Sequence, residues 1–196
     1  MKSLTRPELD RLLTAACKHS EQDYLMFAVI FNHGLRITEV TGGWNTVKGV
    51  KVYREGLTKA NIVSGHLVMA REKGSKTTVQ PLLPDEKAAL EHLAATVTGR
   101  FFPMSRMTAW RKLQKYGAEA GIPVHFAHPH ILRHSAGRLG YLGGMGVPEV
   151  ATYLGHRNRG NALIYMEPSE SEACLAFAAA MGMSAAVSQA SDTIQS

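Results

Sequence analysis

The chain has 196 residues, enough for one sizeable hydrophobic core, and an apolar fraction of 45% that is ordinary for a globular protein. Two cysteines, Cys17 and Cys174, exclude a disulfide framework or a cysteine-based metal cluster and suit a reducing compartment, and no stretch approaches the ~18 uninterrupted apolar residues of a membrane span. A net charge of +6 favours a polyanionic partner, because Lys and Arg displace counterions from phosphates.

The N-terminus, MKSLTRPELDRLL, is charged and amphipathic rather than a signal peptide, so the expected location is the cytoplasm. A helix is expected over residues 3–19. Ser3 or Thr5 can cap it, Glu8 offers Thr5 a capping-box partner, and Leu9, Leu12, Leu13 and Ala16 repeat at helical spacing. A second helix over 21–32 is apolar nearly all round, which predicts burial. Gly34 breaks it, and a new helix starts near Arg36. Arg36 then lies at a helix start, with Glu39 three residues on and able to hold its guanidinium. An ordinary surface Arg–Glu pair would read the same way.

Residues 41–60 are rich in Gly and basic residues and read as irregular, with Lys48, Lys51, Arg54 and Lys59 candidates for a phosphate backbone or simply a solvated loop. The following stretch alternates loosely and is rich in β-branched residues. It predicts a hairpin with strands near 66–72 and 77–82 and Lys73 and Lys76 at or beside its tip. Helices are expected over 84–97 and from Ser105 or Thr108 to about Ala120, the latter with Arg106, Arg111, Lys112 and Lys115 on a basic face. The segment HFAHP reads as extended. Pro129 opens a helix carrying His130, Arg133 and His134, and Gly143, Gly144 and Gly146 end it. A short helix from Pro148 to Leu154, a helical segment from Asn161 through Tyr165 and a small-residue helix within 170–183 complete the pattern, before a polar tail from 184 to 196. The fold class is mainly α with a small antiparallel β-sheet, an α+β arrangement in a single domain over 1–183.

Arg36, Lys73, His130, Arg133, His156 and Tyr165 carry chemistry that fits together. Two arginines can fork onto the non-bridging oxygens of a phosphodiester and stabilise the charge that builds in the transition state. A tyrosine with a free pKa near ~10 needs help to become a nucleophile, which a neighbouring His or the field of the arginines supplies. A Lys on a mobile hairpin can protonate the leaving oxygen. No acidic cluster suggests a magnesium site, so no cofactor is expected. His130 and His134, one helical turn apart, invite a zinc reading, but Arg133 sits between them and no nearby Cys or acid completes a ligand set. Tyr141 and Tyr153 are rival nucleophiles, although both fall in apolar-periodic segments that suit core packing. Trp44 and Trp110 could contact DNA, but core or rim packing is the better expectation.

These residues resemble the catalytic domain of the tyrosine recombinases, or phage integrases. Gly34-Leu35-Arg36-Ile37-Thr38-Glu39 is similar to the first family motif and His130-Ile131-Leu132-Arg133 to the second. Leu154-Gly155-His156 is similar to the third, followed nine residues later by Tyr165. The hairpin lysine is best matched by Lys73, with Lys76 the alternative. No one of these motifs is diagnostic; their order and spacing from about residue 3 to 180 carry the resemblance. Within the family, HPHILRHSAG, YLGHRN and KGSKTT resemble the short recombinases that invert fimbrial promoter switches. Residues 41–56 look like an insertion, and a separate core-binding domain is not expected.

The resemblance implies a site-specific recombinase that cuts and rejoins double-stranded DNA by metal-free transesterification. Arg36, Arg133 and His156 would hold the scissile phosphate, and His130 would assist proton transfer or support the phosphate. Lys73 would protonate the 5′-hydroxyl, and Tyr165 would form a 3′-phosphotyrosine. It also implies a homotetramer on two recombination sites, a C-terminal helix near 170–183 docked on a neighbouring protomer, and room for accessory DNA-bending proteins. Two other readings use the same charge: a DNA-binding regulator or architectural protein without catalysis, and a nicking and resealing enzyme of the type IB topoisomerase kind.

Overall fold

The computed structural model describes residues 3–47, 49–71 and 76–167. The chain divides into compact units Met1–Tyr165 and Met166–Ser196, and every element below belongs to the first. Lys48, Lys73, Cys174, the expected helix within 170–183 and the tail from 184 lie outside the described residues.

Helix α1 spans Arg6–His19 and α2 Glu21–Asn32. Of the two possible caps for α1, Thr5 is the one used. Its hydroxyl accepts from the Glu8 N–H, and the Glu8 carboxylate accepts from the Thr5 N–H at 2.7 Å. Ser20 caps α2 through the Asp23 N–H, and Leu25 to Ile30 are buried on every side of that helix, as its composition predicts. Around α2 gather Leu9 and Leu12 of α1, Leu35, Phe101 and Phe102, together with Leu113 of α5 (Arg106–Glu119), all in one apolar cluster.

The segment after Arg36 is a helix of only five residues, α3 (Ile37–Thr41). Its dipole is too short to do much for an anion, so Arg36 acts through its own charge. Residues 43–54 are not irregular. They form an antiparallel ribbon of β1 (Gly43–Val47) and β2 (Val50–Arg54), in which Trp44 faces Tyr53 across the strands. The two rings meet edge to face at 5.4 Å. The expectation that Trp44 is a core or rim residue fails, because it is 70% exposed on this ribbon. Trp110, by contrast, is half-buried on α5.

The expected hairpin is present as β4 (His66–Met69) and β5 (Thr78–Pro81), joined by a short third strand, β3 (Ile62–Val63), in the order β3-β4-β5. Helix α4 spans Pro84–Thr96. HFAHP is folded rather than extended: Phe126, Ala127 and His128 donate to the carbonyls of Pro123, Val124 and Phe126 in successive tight turns. Those turns set the entry to α6 (Pro129–Leu142), where Pro129 takes the first helical position. Helix α7 (Val147–Tyr153) follows, and a 3-10 segment, Arg159–Tyr165, ends the unit. Among the described residues no helix is long and apolar enough to cross a membrane.

Candidate active site

The site forms where two turns meet one helix. Gly34 ends α2 with φ +55°, and a side chain there would strike Leu154 at 2.2 Å. Gly155 follows α7 with φ +70°, and a Cβ on it would lie 2.9 Å from Arg71 Cγ and 3.0 Å from the Lys76 carbonyl oxygen. Both motif glycines are therefore required twice, by backbone conformation and by close approach.

Arg133 of α6 fastens these two turns together. It is buried, one guanidinium nitrogen donates to the Gly34 carbonyl, and the other donates to the Leu154 carbonyl at 2.8 Å. Burial and the charges of Arg36 and Arg71 push its pKa down to about 10, so it stays cationic at neutral pH. Arg36 reaches Glu39 at 3.0 Å, as its spacing predicts, and the second Glu39 oxygen accepts from the Arg36 backbone N–H at 2.8 Å.

Arg71, just beyond β4, is a residue that the sequence reading passed over. It donates to the carbonyls of His33, Gly34 and Tyr153, to the Thr78 hydroxyl and to Glu39, all from a fully buried side chain. Arg36 and Arg71 thus share Glu39 as their acid partner, and its charge also reaches Arg133.

Tyr165 is 3% exposed, with its ring beside α6. Burial raises its pKa; the charge and hydrogen bond of Arg133 and the charge of Arg36 pull it back. Arg138 of α6 donates to the Tyr165 carbonyl at 2.9 Å. The His156 ring stacks near the Tyr165 ring, with centroids 6.0 Å apart. Burial and the charges of Arg133, Arg36 and Arg71 push the His156 pKa to about 4, and its Nδ1 is buried without a hydrogen-bond partner. On the other side His134 Nδ1 lies 3.4 Å from Tyr165 Oη.

The structure therefore brings Arg36, Arg133, His156 and Tyr165 together. His130 is exposed and one ring further out, with its centroid 6.1 Å from that of His134. It lines a shallow groove with Ile37, Arg106 and Trp110. Lys76 is exposed on the other side of the site, and its backbone N–H donates to the Gly155 carbonyl at 3.3 Å. Of the rival tyrosines, Tyr153 donates its hydroxyl to the Asn32 carbonyl, and Tyr141 lies under Arg138. Among the described residues no three His, Cys, Asp or Glu side chains come together in a way that could hold a metal.

The family model of the phage integrase family matches residues 2–172. The chain belongs to the phage integrase family. It is a tyrosine-type recombinase by descent, with the mainly helical α+β fold expected of that family's catalytic domain. It is 29% identical over 171 residues to the type 1 fimbriae regulatory protein FimE of Escherichia coli strain K12, an alignment that covers 79% of this chain and 80% of that protein.

The fold matches the crystal structure of XerA recombinase with a TM-score of 0.70 at 17% identity, over 90% of this chain and 62% of that one. It also matches the Tn1549 transposon integrase in complex with transposon right end DNA, with a TM-score of 0.61 at 17% identity, over 92% of this chain and 66% of that one. The chain thus spans under two thirds of these solved recombinases.

Proposed function

We propose that this protein is a site-specific DNA recombinase that breaks and rejoins duplex DNA through a 3′-phosphotyrosine formed on Tyr165. The observation that carries the reading is the setting of Tyr165 Oη beside Arg133, within the field of Arg36 and Arg71 and stacked near His156. Arg36 and Arg133 hold the non-bridging oxygens of the scissile phosphate and stabilise the charge that builds as Tyr165 attacks. His156, whose ring stacks near that of Tyr165, contributes to holding that phosphate. Lys73, or Lys76 on the Gly155 side, protonates the departing 5′-oxygen, and His130 at the rim assists proton movement. The bond energy is kept in the protein–DNA link, so rejoining needs no external energy source.

The net charge of +6 and the family's DNA-bound structural neighbours support double-stranded DNA as the partner. We place the protein in the cytoplasm, acting as a homotetramer on two recombination sites, with accessory proteins to bend the DNA where the sites require it. Residues 1–183 form the catalytic domain in this reading.

The test is a nicked suicide substrate carrying the protein's own recombination site. The wild type is expected to give a denaturant-stable DNA adduct. Tyr165→Phe is expected to bind the same DNA within about twofold and give none. A wild type that binds DNA without forming an adduct would favour the non-catalytic regulator and overturn the recombinase reading.

A further inference from the structure

We infer that the β1–β2 ribbon is a DNA-holding arm: the face that carries Trp44, Lys51 and Tyr53 lies against duplex DNA on the flank of the candidate site. This rests on the proposed reading of duplex DNA as the partner and not on the cleavage chemistry.

The ribbon stands apart from the core. Residues 41–56 look like an insertion after the first motif, and β1 and β2 pair with each other and with no other strand among the described residues. At its root the chain passes close to itself. A Cβ on Gly42 would lie 2.7 Å from the Arg54 carbonyl oxygen, and one on Gly56 would lie 2.7 Å from the Gly42 nitrogen. The Leu57 N–H donates to the Val40 carbonyl at 2.9 Å just beyond that crossing. The ribbon is thus clamped at one end while its strands stay uncovered.

The side chains it uncovers are not those of a solvated loop. Val50 is 62% exposed and Tyr53 51% exposed, alongside the exposed Trp44. Alternation along the strands places Trp44, Thr46, Lys51 and Tyr53 on one face. The Trp44 and Tyr53 rings brace each other there, and the exposed Lys51 lies one pair further along. Flat rings beside a cation suit a nucleic acid strand, because the rings cover sugar and base edges while the ammonium meets a phosphate.

Charge selects the partner. Lys48, Lys51, Arg54 and Lys59 fall between residues 43 and 60 against a single acid, Glu55. A second copy of this chain, at +6, would bring like charge to the ribbon, whereas DNA releases its counterions there.

The surface is also continuous with the candidate site. Trp44 lines a groove with Arg100, Arg106 and Met107. Arg106 and Met107 then run on into the groove of Ile37 and His130 at the rim of the site. A DNA strand leaving the site along this track meets Arg106 and then Trp44. The dimensions agree, since strands ~4.8 Å apart make a ribbon that a major groove ~12 Å wide admits.

The experiment measures binding of a mixed-sequence DNA duplex to the full chain across about 50–200 mM salt, with Tyr165→Phe as the parent so that no covalent adduct enters. Trp44→Ala is expected to weaken binding about tenfold with the salt slope unchanged, the scale of one lost aromatic contact to nucleic acid. Lys51→Ala is expected to lower the slope by about one, as one phosphate contact goes. Lys51 is not part of the ring pair, so its slope reads the contact even where loss of Trp44 loosens the ribbon. Benzoylphenylalanine in place of Tyr53 should cross-link to the duplex under ultraviolet light. Binding by both variants within about twofold of the parent at unchanged slope, or a cross-link to a second copy of the chain and none to DNA, would overturn the assignment. A wild type that binds through the ribbon but forms no adduct on its own site removes the recombinase reading and leaves the arm. A wild type that forms the adduct while the ribbon variants bind normally removes only the arm.

Discussion

Arg71 and Glu39 meet at 3.2 Å with both side chains fully buried. Arg71 binds the carbonyls that flank both motif turns, at His33, Gly34 and Tyr153. It is the internal strut of the site. Arg71→Met leaves the His33 and Tyr153 carbonyls without their cation and weakens the hold on Glu39, and is expected to destabilise the fold by about 3 kcal/mol, the low end for breaking a buried ion pair, because Arg36 still holds Glu39. Urea unfolding measures it. The double variant Arg71→Met/Glu39→Gln should recover part of the loss, since no unbalanced carboxylate is then buried.

Arg133→Lys tests whether the fork matters as well as the charge. A lysine cannot donate to Gly34 and Leu154 from one plane and still face the phosphate. Cleavage is expected to fall by about 10²-fold, on the scale of removing one charge-stabilising donor. Arg133→Ala should fall at least as far. A rate near wild type for either variant would remove Arg133 from the chemistry.

Gly137→Ala isolates the approach of the nucleophile. The added methyl meets Tyr165 at 2.9 Å and Leu154 at 3.1 Å. The tyrosine ring has to move outward, while the arginines keep their contacts. DNA affinity should stay within about twofold, and adduct formation should slow by an order of magnitude or more, since ~1 Å of misplacement can cost 10²-fold.

The buried His33–Glu86 pair makes stability depend on acid. The two side chains meet at 2.5 Å, with Gln80 on the second ring nitrogen at 3.1 Å. Burial alone would raise the Glu86 pKa, but the hydrogen bond and charge of His33, with Asn32 and the Leu83 N–H, bring it below the usual carboxylate value. A depressed folded pKa stabilises the native state above the unfolded value near ~4.3 and is lost as pH falls through the folded one. The stability difference between wild type and Glu86→Gln should therefore be full at pH 7 and shrink below about pH 4.5, as read from urea midpoints.

Much of this was legible in the sequence because it is local. Thr5 with Glu8, Ser105 ahead of α5 and Pro129 at the first turn of α6 each mark a helix start within four residues. The motif order also named Arg36, Arg133, His156 and Tyr165 before any contact was known. What was missed depends on distant partners. The β1–β2 ribbon was hidden by Gly42, Gly43 and Gly49, and its strands are recognisable only when Trp44 is paired with Tyr53. Arg71 looked like one more basic residue beside a hairpin, because its partners come from residues 33–39, 78 and 153. His134 drew notice only as a metal candidate, since nothing local shows that Tyr165 comes to rest against it.

The proposed nucleophile and the proposed phosphate-binding groups are carried on supports of unequal stiffness. Arg133 stands in the second turn of α6 with its guanidinium locked between two turns, whereas Tyr165 ends a seven-residue 3-10 segment. Hydrogen bonds in such a segment are poorly aligned, and runs beyond ~4 residues are uncommon. Displacing the tyrosine means giving up weak local bonds, the Arg138 contact and the packing of its ring against α6; displacing the arginine means breaking charge-assisted bonds inside the core. In the recombinase reading a DNA strand can therefore be gripped firmly before the blade is set, and holding and cutting can be timed separately.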